Sequence, residues 1–187
     1  MLQANKSAIY AVIGSLFCIA FAQADGQLTV TEQLIRQEVL RLGGDWESSA
    51  KPKLVGFLGD KFESKHFEML THLPTVKWFA AHDCPIDSFA LACISQIRQL
   101  ERIDIVRCRL ESECLSLLKS NRELKTIKFD STTVSEKLID ELSQLTGLKN
   151  ILFDDCDGLT EQLYSKLKTA IPEAEIDTIV SPKSEKK

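Results

Sequence analysis

An apolar pattern that repeats every 24 residues constrains the fold of this chain more than any other feature. Each repeat opens with a lead residue, and further apolar residues follow three, five and ten places later. The lead residues are Pro52, Val76, Leu100, Leu124 and Leu148, followed by Val55, Phe79, Ile103, Ile127 and Ile151, then Phe57, Ala81, Ile105, Phe129 and Phe153, and last Phe62, Ile86, Leu110 and Val134, with Leu159 displaced by one. A unit this short cannot bury a core alone, so we expect the units to stack around one continuous core.

Each repeat combines two periodicities. Its first part alternates apolar and polar residues, as in Leu100, Ile103 and Ile105, which predicts a strand. Its second part has apolar residues three apart, which predicts one face of a helix. That helical series comprises Phe67, Leu70 and Leu73; Leu91, Ile94 and Ile97; Leu115 and Leu118, interrupted by Asn121; and Ile139, Leu142 and Leu145. Residues suited to cap a helix separate the two parts at Asp87, Ser135 and Thr160.

Four segments follow the motif L-x-x-L-x-L-x-x-N/C-x-L. They are VKWFAAHDCPI, LERIDIVRCRL, LKTIKFDSTTV and LKNILFDDCDGL, beginning at residues 76, 100, 124 and 148. The chain therefore resembles the leucine-rich-repeat family over residues 52–180, in five repeats. Its N/C position carries Cys84, Cys108 and Cys156, with Thr132 in the fourth repeat and Asp60 in the first, like the cysteine-containing subtype. The resemblance implies an α/β fold, a right-handed solenoid with one parallel sheet on its concave face and helices on its convex face.

The two ends of the repeat region carry signals for capping elements. Residues 25–51 are predicted to form an N-terminal cap helix and linker, with Gly43-Gly44 ending the helix. The buried face of that helix is expected to comprise Leu34, Ile35, Val39 and Leu42. The last helical stripe is expected at Tyr164, Leu167, Ala170 and Ile171, followed by Pro172 and an edge strand at Ile176–Val180. Residues 181–187 are polar and charged, which favours a disordered tail.

Residues 1–24 have the design of a secretory signal peptide. A polar start carrying Lys6 precedes the apolar run Ser7–Ala22, and Ala22-Gln23-Ala24 places small residues at a cleavage site. We expect cleavage before Asp25 and a location in the periplasm or outside the cell, with no membrane contact by the mature form. The alternative is an uncleaved membrane anchor, although the apolar run is short for a span.

Five cysteines follow the predicted signal peptide, so at least one of them lacks a disulfide partner within the chain. Cys84, Cys108 and Cys156 are expected to face inward and to pack as small buried side chains. A Cys84–Cys108 disulfide is compatible with the spacing of adjacent strands and stays open. The same holds for Cys93 and Cys114 on neighbouring helices.

Composition and motifs exclude several classes of function. The chain has 23 basic and 27 acidic residues and a net charge of −4, so it lacks the basic excess of a nucleic-acid-binding protein. His66, His72 and His82 lie in no catalytic or zinc-binding frame. The acids around Cys156, from Asp154 to Asp157, do not follow a calcium-loop spacing. We expect no metal, no cofactor and no enzymatic activity.

One surface of the predicted sheet carries the candidate functional side chains. Residues that alternate with the buried strand positions must point away from the core. The family resemblance implies that this concave face binds a protein or peptide, and the candidate residues are Trp78, His82, Arg102, Asp104, Lys128 and Asp130. Aromatic and guanidinium groups often dominate binding energy. Two alternatives remain: Trp78 packs under the cap helix, or the chain is a structural or assembly component of the cell envelope without a discrete ligand site.

Overall fold

The computed structural model describes residues 28–47, 52–110 and 114–179. The predicted signal peptide and the predicted tail lie outside these residues, as do residues 48–51 and 111–113. The helices are α1 (Val30–Leu42), α2 (Ser88–Ile94), α3 (Glu136–Leu142) and α4 (Glu161–Ala170), with 3₁₀ helices η1 (Ser64–His72) and η2 (Leu115–Ser120). The strands are β1 (Asp45–Trp46), β2 (Leu54–Leu58), β3 (Trp78–His82), β4 (Pro85–Ile86), β5 (Arg102–Val106), β6 (Arg109–Leu110), β7 (Thr126–Asp130), β8 (Asn150–Asp154) and β9 (Glu175–Ile179).

A mostly parallel sheet joins one strand from each repeat, which confirms the predicted mixed α/β class. Its order is β1-β2-β3-β5-β7-β8-β9. From β2 to β8 every strand pairs in parallel with residues 24 positions along the chain, so that Trp78 lies opposite Leu54 on one side and Arg102 on the other. In the last pairing, of Asn150 with Glu175, the paired residues are one position further apart in the sequence, as the displaced fifth repeat requires.

Two features depart from the prediction of a single parallel sheet. The short strand β1 pairs antiparallel to β2, because Gly43 and Gly44 turn the chain back from α1 along the first long strand. A second sheet of two short strands, β4 and β6, forms at the turns between the strand and helical parts of neighbouring repeats.

The predicted core positions on the sheet are buried. Ile103, Ile105, Ile127, Phe129 and Ile151 have no exposed surface, and Phe153 is 2% exposed. The helical series packs over the same face, with Leu70, Leu91, Ile94, Ile139 and Leu142 also fully covered. Burying these apolar groups removes them from water, which is the main favourable contribution to folding. The register inferred from the 24-residue period is therefore confirmed.

The helical parts of the repeats are of two kinds. Asp87, Ser135 and Thr160 accept hydrogen bonds from backbone N–H groups of the first turn, and an α-helix follows each of them. In the first repeat the helix that follows Glu63 is 3₁₀, and so is the helix that follows Cys114 in the third repeat. A 3₁₀ helix has three residues per turn, which matches the spacing of Phe67, Leu70 and Leu73.

The cap helix α1 covers the first repeat. Ile35, Val39 and Leu42 are buried as predicted, whereas Leu34 is half-buried. Gly43 adopts a left-handed conformation with φ of 93° and ends the helix. The next residue, Gly44, has no room for a side chain, because a Cβ at that position would lie 2.5 Å from the carbonyl oxygen of Gly56.

The C-terminal end follows the prediction with one exception. Helix α4 buries Leu167, Ile171 after its end is also buried, and Tyr164 is half-buried. Ala170 is exposed, so its assignment to the buried stripe was wrong. The helix ends at that residue, and Ile171 alone turns towards the core. The edge strand is present as β9, while Val180 lies outside the described residues.

Candidate functional site

The candidate site lies on the face of the sheet opposite the core, here called the outer face. Strand alternation places three rows of side chains on it. Pairing across β2, β3, β5, β7 and β8 aligns each row. The rows are Leu54, Trp78, Arg102, Thr126 and Asn150; Gly56, Ala80, Asp104, Lys128 and Leu152; and Leu58, His82, Val106, Asp130 and Asp154. All six predicted site residues therefore share one face.

Trp78, Arg102 and Asp104 form one connected group. The guanidinium carbon of Arg102 lies 4.3 Å from the centroid of the Trp78 ring, which is the geometry of a cation–π contact. Arg102 also donates two hydrogen bonds to the Asp104 carboxylate, from Nε at 2.7 Å and from Nη2 at 2.9 Å. A bidentate pair of this kind fixes the plane of the guanidinium over the ring. The group presents a rigid aromatic and cationic surface.

Lys128 holds the second group together. Its ammonium lies 3.0 Å from a carboxylate oxygen of Asp130 and 3.0 Å from one of Asp154. Burial opposes the charge of Lys128, but hydrogen bonds to Asp154 and Asp130 outweigh burial and raise the pKa of the ammonium. Burial likewise opposes ionisation of Asp130, but hydrogen bonds from Lys128 and Ser131 lower the pKa of that carboxyl. Both shifts favour the charged forms of Lys128 and Asp130.

The predicted site residues differ in how accessible they are. Trp78, His82, Arg102, Lys128 and Asp130 are half-buried. Asp104 is only 7% exposed, although strand alternation directs it away from the core. Its carboxylate is enclosed by Arg102, so Asp104 positions the guanidinium and offers little surface to a partner.

Trp78 belongs to the outer face and does not pack under the cap helix. Its chain neighbour Phe79 is fully buried in the core, which α1 joins through Ile35 and Val39. The Trp78 ring stacks on Arg102 on the opposite side of the sheet. Its indole Nε1 is buried and makes no hydrogen bond within the described part of the chain. The ring of Trp78 is half-buried on this face, so its accessible part, and not the buried N–H, is the part that a partner can contact.

Asp154 joins the site although the sequence did not single it out as a candidate. Lys128 contacts it across the boundary between β7 and β8. The sequence did contain a signal for Asp154, because the 24-residue period aligns it with the candidate residues His82 and Asp130 in one row. Carboxylates in adjacent strands at one level repel unless a cation lies between them, and Lys128 is that cation.

The cysteine column lies beside the sheet and is structural in its contacts. Cys84 Sγ donates to the carbonyl oxygen of His82 at 3.0 Å, and Cys108 Sγ to that of Val106 at 3.4 Å. Thr132 and Cys156 donate to the equivalent carbonyls of Asp130 and Asp154. Each of these side chains thus adds a second hydrogen bond to the carbonyl two residues earlier, which also accepts one from a backbone N–H of the neighbouring repeat.

The cysteines are thiols, and their burial differs along the column. Cys84, Cys93 and Cys108 are free and buried, so neither the Cys84–Cys108 nor the Cys93–Cys114 disulfide is formed. Burial raises the pKa of Cys84 to about 12 and that of Cys93 to about 11. Cys156 is half-buried and thus only partly follows the expected inward packing.

The described residues contain no group of three histidine, cysteine, aspartate or glutamate side chains placed to hold a metal ion. In the same part of the chain, none of the helices is both long enough and apolar enough to cross a membrane. No protein-family model matches the chain, and no curated protein is significantly similar to it in sequence. The outer face, with its aromatic, cationic and acidic groups on the four adjacent strands β3, β5, β7 and β8, is the candidate site that the geometry defines.

Proposed function

We propose that the chain is an exported leucine-rich-repeat protein that binds a protein or peptide partner on the outer face of its sheet. In this proposal the stacked units form a right-handed solenoid, and the outer face is its concave side. The repeated pairing offset of 24 residues supports the stacking. A right-handed crossover is the usual connection between parallel strands.

The observation that carries the proposed function is the stack of Arg102 on Trp78, with Lys128 and two carboxylates on the adjacent strands. Tryptophan and arginine are enriched among residues that dominate binding energy. The surrounding charges of both signs suit the polar rim of a protein surface better than an apolar small molecule. Binding, and not catalysis, is therefore the function proposed.

The experiment captures a partner with the immobilised chain and compares variants. Removing Arg102 alone would leave Asp104, whose side chain is 11% exposed, without its cation, and an unpaired charge of this kind is destabilising. The variant Trp78→Ala/Arg102→Ala/Asp104→Ala removes both members of the ion pair together. We expect it to retain its circular dichroism spectrum and to lose partner capture at least tenfold.

The matched control is Phe89→Ala/Leu117→Ala, which truncates two exposed apolar side chains on the helical side. This control should capture the partner as the unmodified chain does. Equal capture by the outer-face variant, or loss of capture by the control alone, would place the binding surface elsewhere.

Export is the second part of the proposal and rests on Ala22-Gln23-Ala24 closing the apolar run. Exported protein should begin at Asp25 by N-terminal sequencing. Recovery of residues 1–24 on protein held in a membrane fraction would contradict cleavage.

A further inference from the structure

Strand β9 lies at the edge of the main sheet. Within the described residues it pairs with β8 and with no second strand. An edge strand presents a row of backbone N–H and C=O groups that can pair with another chain. β9 is five residues long, which is the length of the strands β2, β3, β5, β7 and β8 that pair throughout the sheet.

A groove lies beside this edge on the core side. By register, Thr178 continues the row formed by Phe129 and Phe153. Thr178 is short and exposed, whereas Phe129 and Phe153 are buried. A cavity of about 300 Å³ opens there, lined by Phe153, Leu159, Tyr164, Thr178 and Ile179 among others. The apolar row therefore ends in a space that one more apolar side chain would fill.

The same edge is acidic on its other face. Glu175 and Asp177 alternate with Ile176 and Thr178, and both carboxylates are exposed. A second copy of this strand, paired antiparallel about its centre, would bring Asp177 opposite Asp177. Like charges directly opposite each other destabilise a strand pair, and opposite charges stabilise it. The edge thus disfavours a copy of itself and favours a basic strand.

We propose that the β9 edge is a second binding site, which takes an extended peptide segment of alternating basic and apolar residues as an added strand. Lysine or arginine side chains of this segment lie opposite Glu175 and Asp177. The apolar side chains between them lie opposite Ile176 and Thr178, where one of them fills the groove. Backbone hydrogen bonds supply the affinity, and the alternation of charge and apolar side chain supplies the specificity.

The first test measures binding of fluorescein-labelled peptides to the full chain by fluorescence anisotropy. The probe Lys-Leu-Lys-Leu-Lys-Leu-Lys has the required alternation in either strand direction. We expect it to bind saturably and at least tenfold more tightly than Glu-Leu-Glu-Leu-Glu-Leu-Glu or Lys-Ser-Lys-Ser-Lys-Ser-Lys. Equal affinities for the three peptides, or no binding of the first, would overturn the proposal.

A charge exchange on the chain locates the site. The variant Glu175→Lys/Asp177→Lys should reverse the preference, so that the glutamate–leucine peptide binds more tightly than the lysine–leucine peptide. The control Glu68→Lys/Glu123→Lys makes the same change in net charge at exposed positions away from the edge. It should keep the original preference. A reversal in the control as well would show that net charge alone governs binding, and the proposal would be wrong.

Backbone methylation separates strand addition from adhesion to an acidic surface. In an extended strand, alternate N–H groups point to opposite sides. N-methylation of every leucine and N-methylation of every lysine should therefore differ at least tenfold in effect, because only one of these sets faces β9. Equal effects of the two modifications would overturn pairing to the edge.

The outer-face variant Trp78→Ala/Arg102→Ala/Asp104→Ala distinguishes this site from the proposed partner-binding surface. It should bind the lysine–leucine peptide as the unmodified chain does, even if the proposed function fails. Loss of peptide binding in this variant would assign the peptide to the outer face. A dimer that Glu175→Lys/Asp177→Lys dissociates in sedimentation experiments would instead make a second copy the occupant, against the proposal.

Discussion

Phe129 lies at the centre of the core, and its ring stacks on that of Phe153 with centroids 5.6 Å apart. It is fully buried in β7, so Phe129→Ala removes a large apolar group and leaves a cavity. We expect the free energy of unfolding to fall by about 3–5 kcal/mol. Urea denaturation measures this change, with Leu117→Ala as the exposed control. An effect no greater than that of the control would contradict the register of the buried strands.

Cys84 links residue burial to the pH dependence of stability. Burial raises the pKa of its thiol from the ordinary 9.0 to about 12. Between these values the folded chain keeps a proton that the unfolded chain releases. Stability that is present below pH 9.0 is therefore lost as the pH rises towards 12. Urea denaturation at several pH values should show a steeper decline for the unmodified chain than for Cys84→Ala. Equal slopes would contradict the burial of this thiol.

Individual residues were predictable where a simple period decided their environment. Phe129 and Ile105 are buried because alternation along a strand directs both side chains to the face of the sheet that the helices cover. Asp104 follows the same alternation and points away from the core, but the Arg102 side chain that binds its carboxylate shields it from solvent. No period in the sequence encodes which rotamer a long guanidinium side chain adopts, so the burial of Asp104 required the structure.

Among the elements, the capping residues differ in how many contacts they make. Asp87 accepts from Ala90 N at 2.8 Å and also from Ser64 Oγ at 2.7 Å, so it joins α2 to η1. Ser135 accepts only from Leu138 N among the bonds seen here, at 3.2 Å. The sequence predicted both caps correctly. It did not predict 3₁₀ helices, because apolar residues three apart fit an α-helix as well.

This difference between the two caps is testable. Ser135→Ala should lower the free energy of unfolding by about 1 kcal/mol, which is typical for a lost helix cap. Asp87→Ala should lower it further, because the substitution also removes the contact with η1. Thermal denaturation of both variants gives the comparison. An Asp87→Ala variant as stable as Ser135→Ala would show that the bond to Ser64 adds nothing.

At the scale of the whole molecule, the sheet was largely predictable and its two ends were not. The 24-residue period predicts the pairing of β2 to β8 because parallel strands align equivalent repeat positions. The antiparallel strand β1 depends on how Gly44 fits against Gly56, which is a tertiary contact. The groove beside Thr178 also depends on the last strand, where a short threonine side chain lies in the row that Phe129 and Phe153 fill in the preceding strands. The end units depart from the period, and reasoning from the period is weakest there.

Side-chain footprinting of the partner complex tests the central claim most directly. Hydroxyl radicals modify exposed aromatic and imidazole groups, and the oxidation rate of each residue reports its coverage. On binding, the rates at Trp78 and His82 should fall, while those at the exposed helical residues Phe89 and Leu117 should stay unchanged. Protection of Phe89 and Leu117 with no change at Trp78 and His82 would contradict binding on the outer face of the sheet.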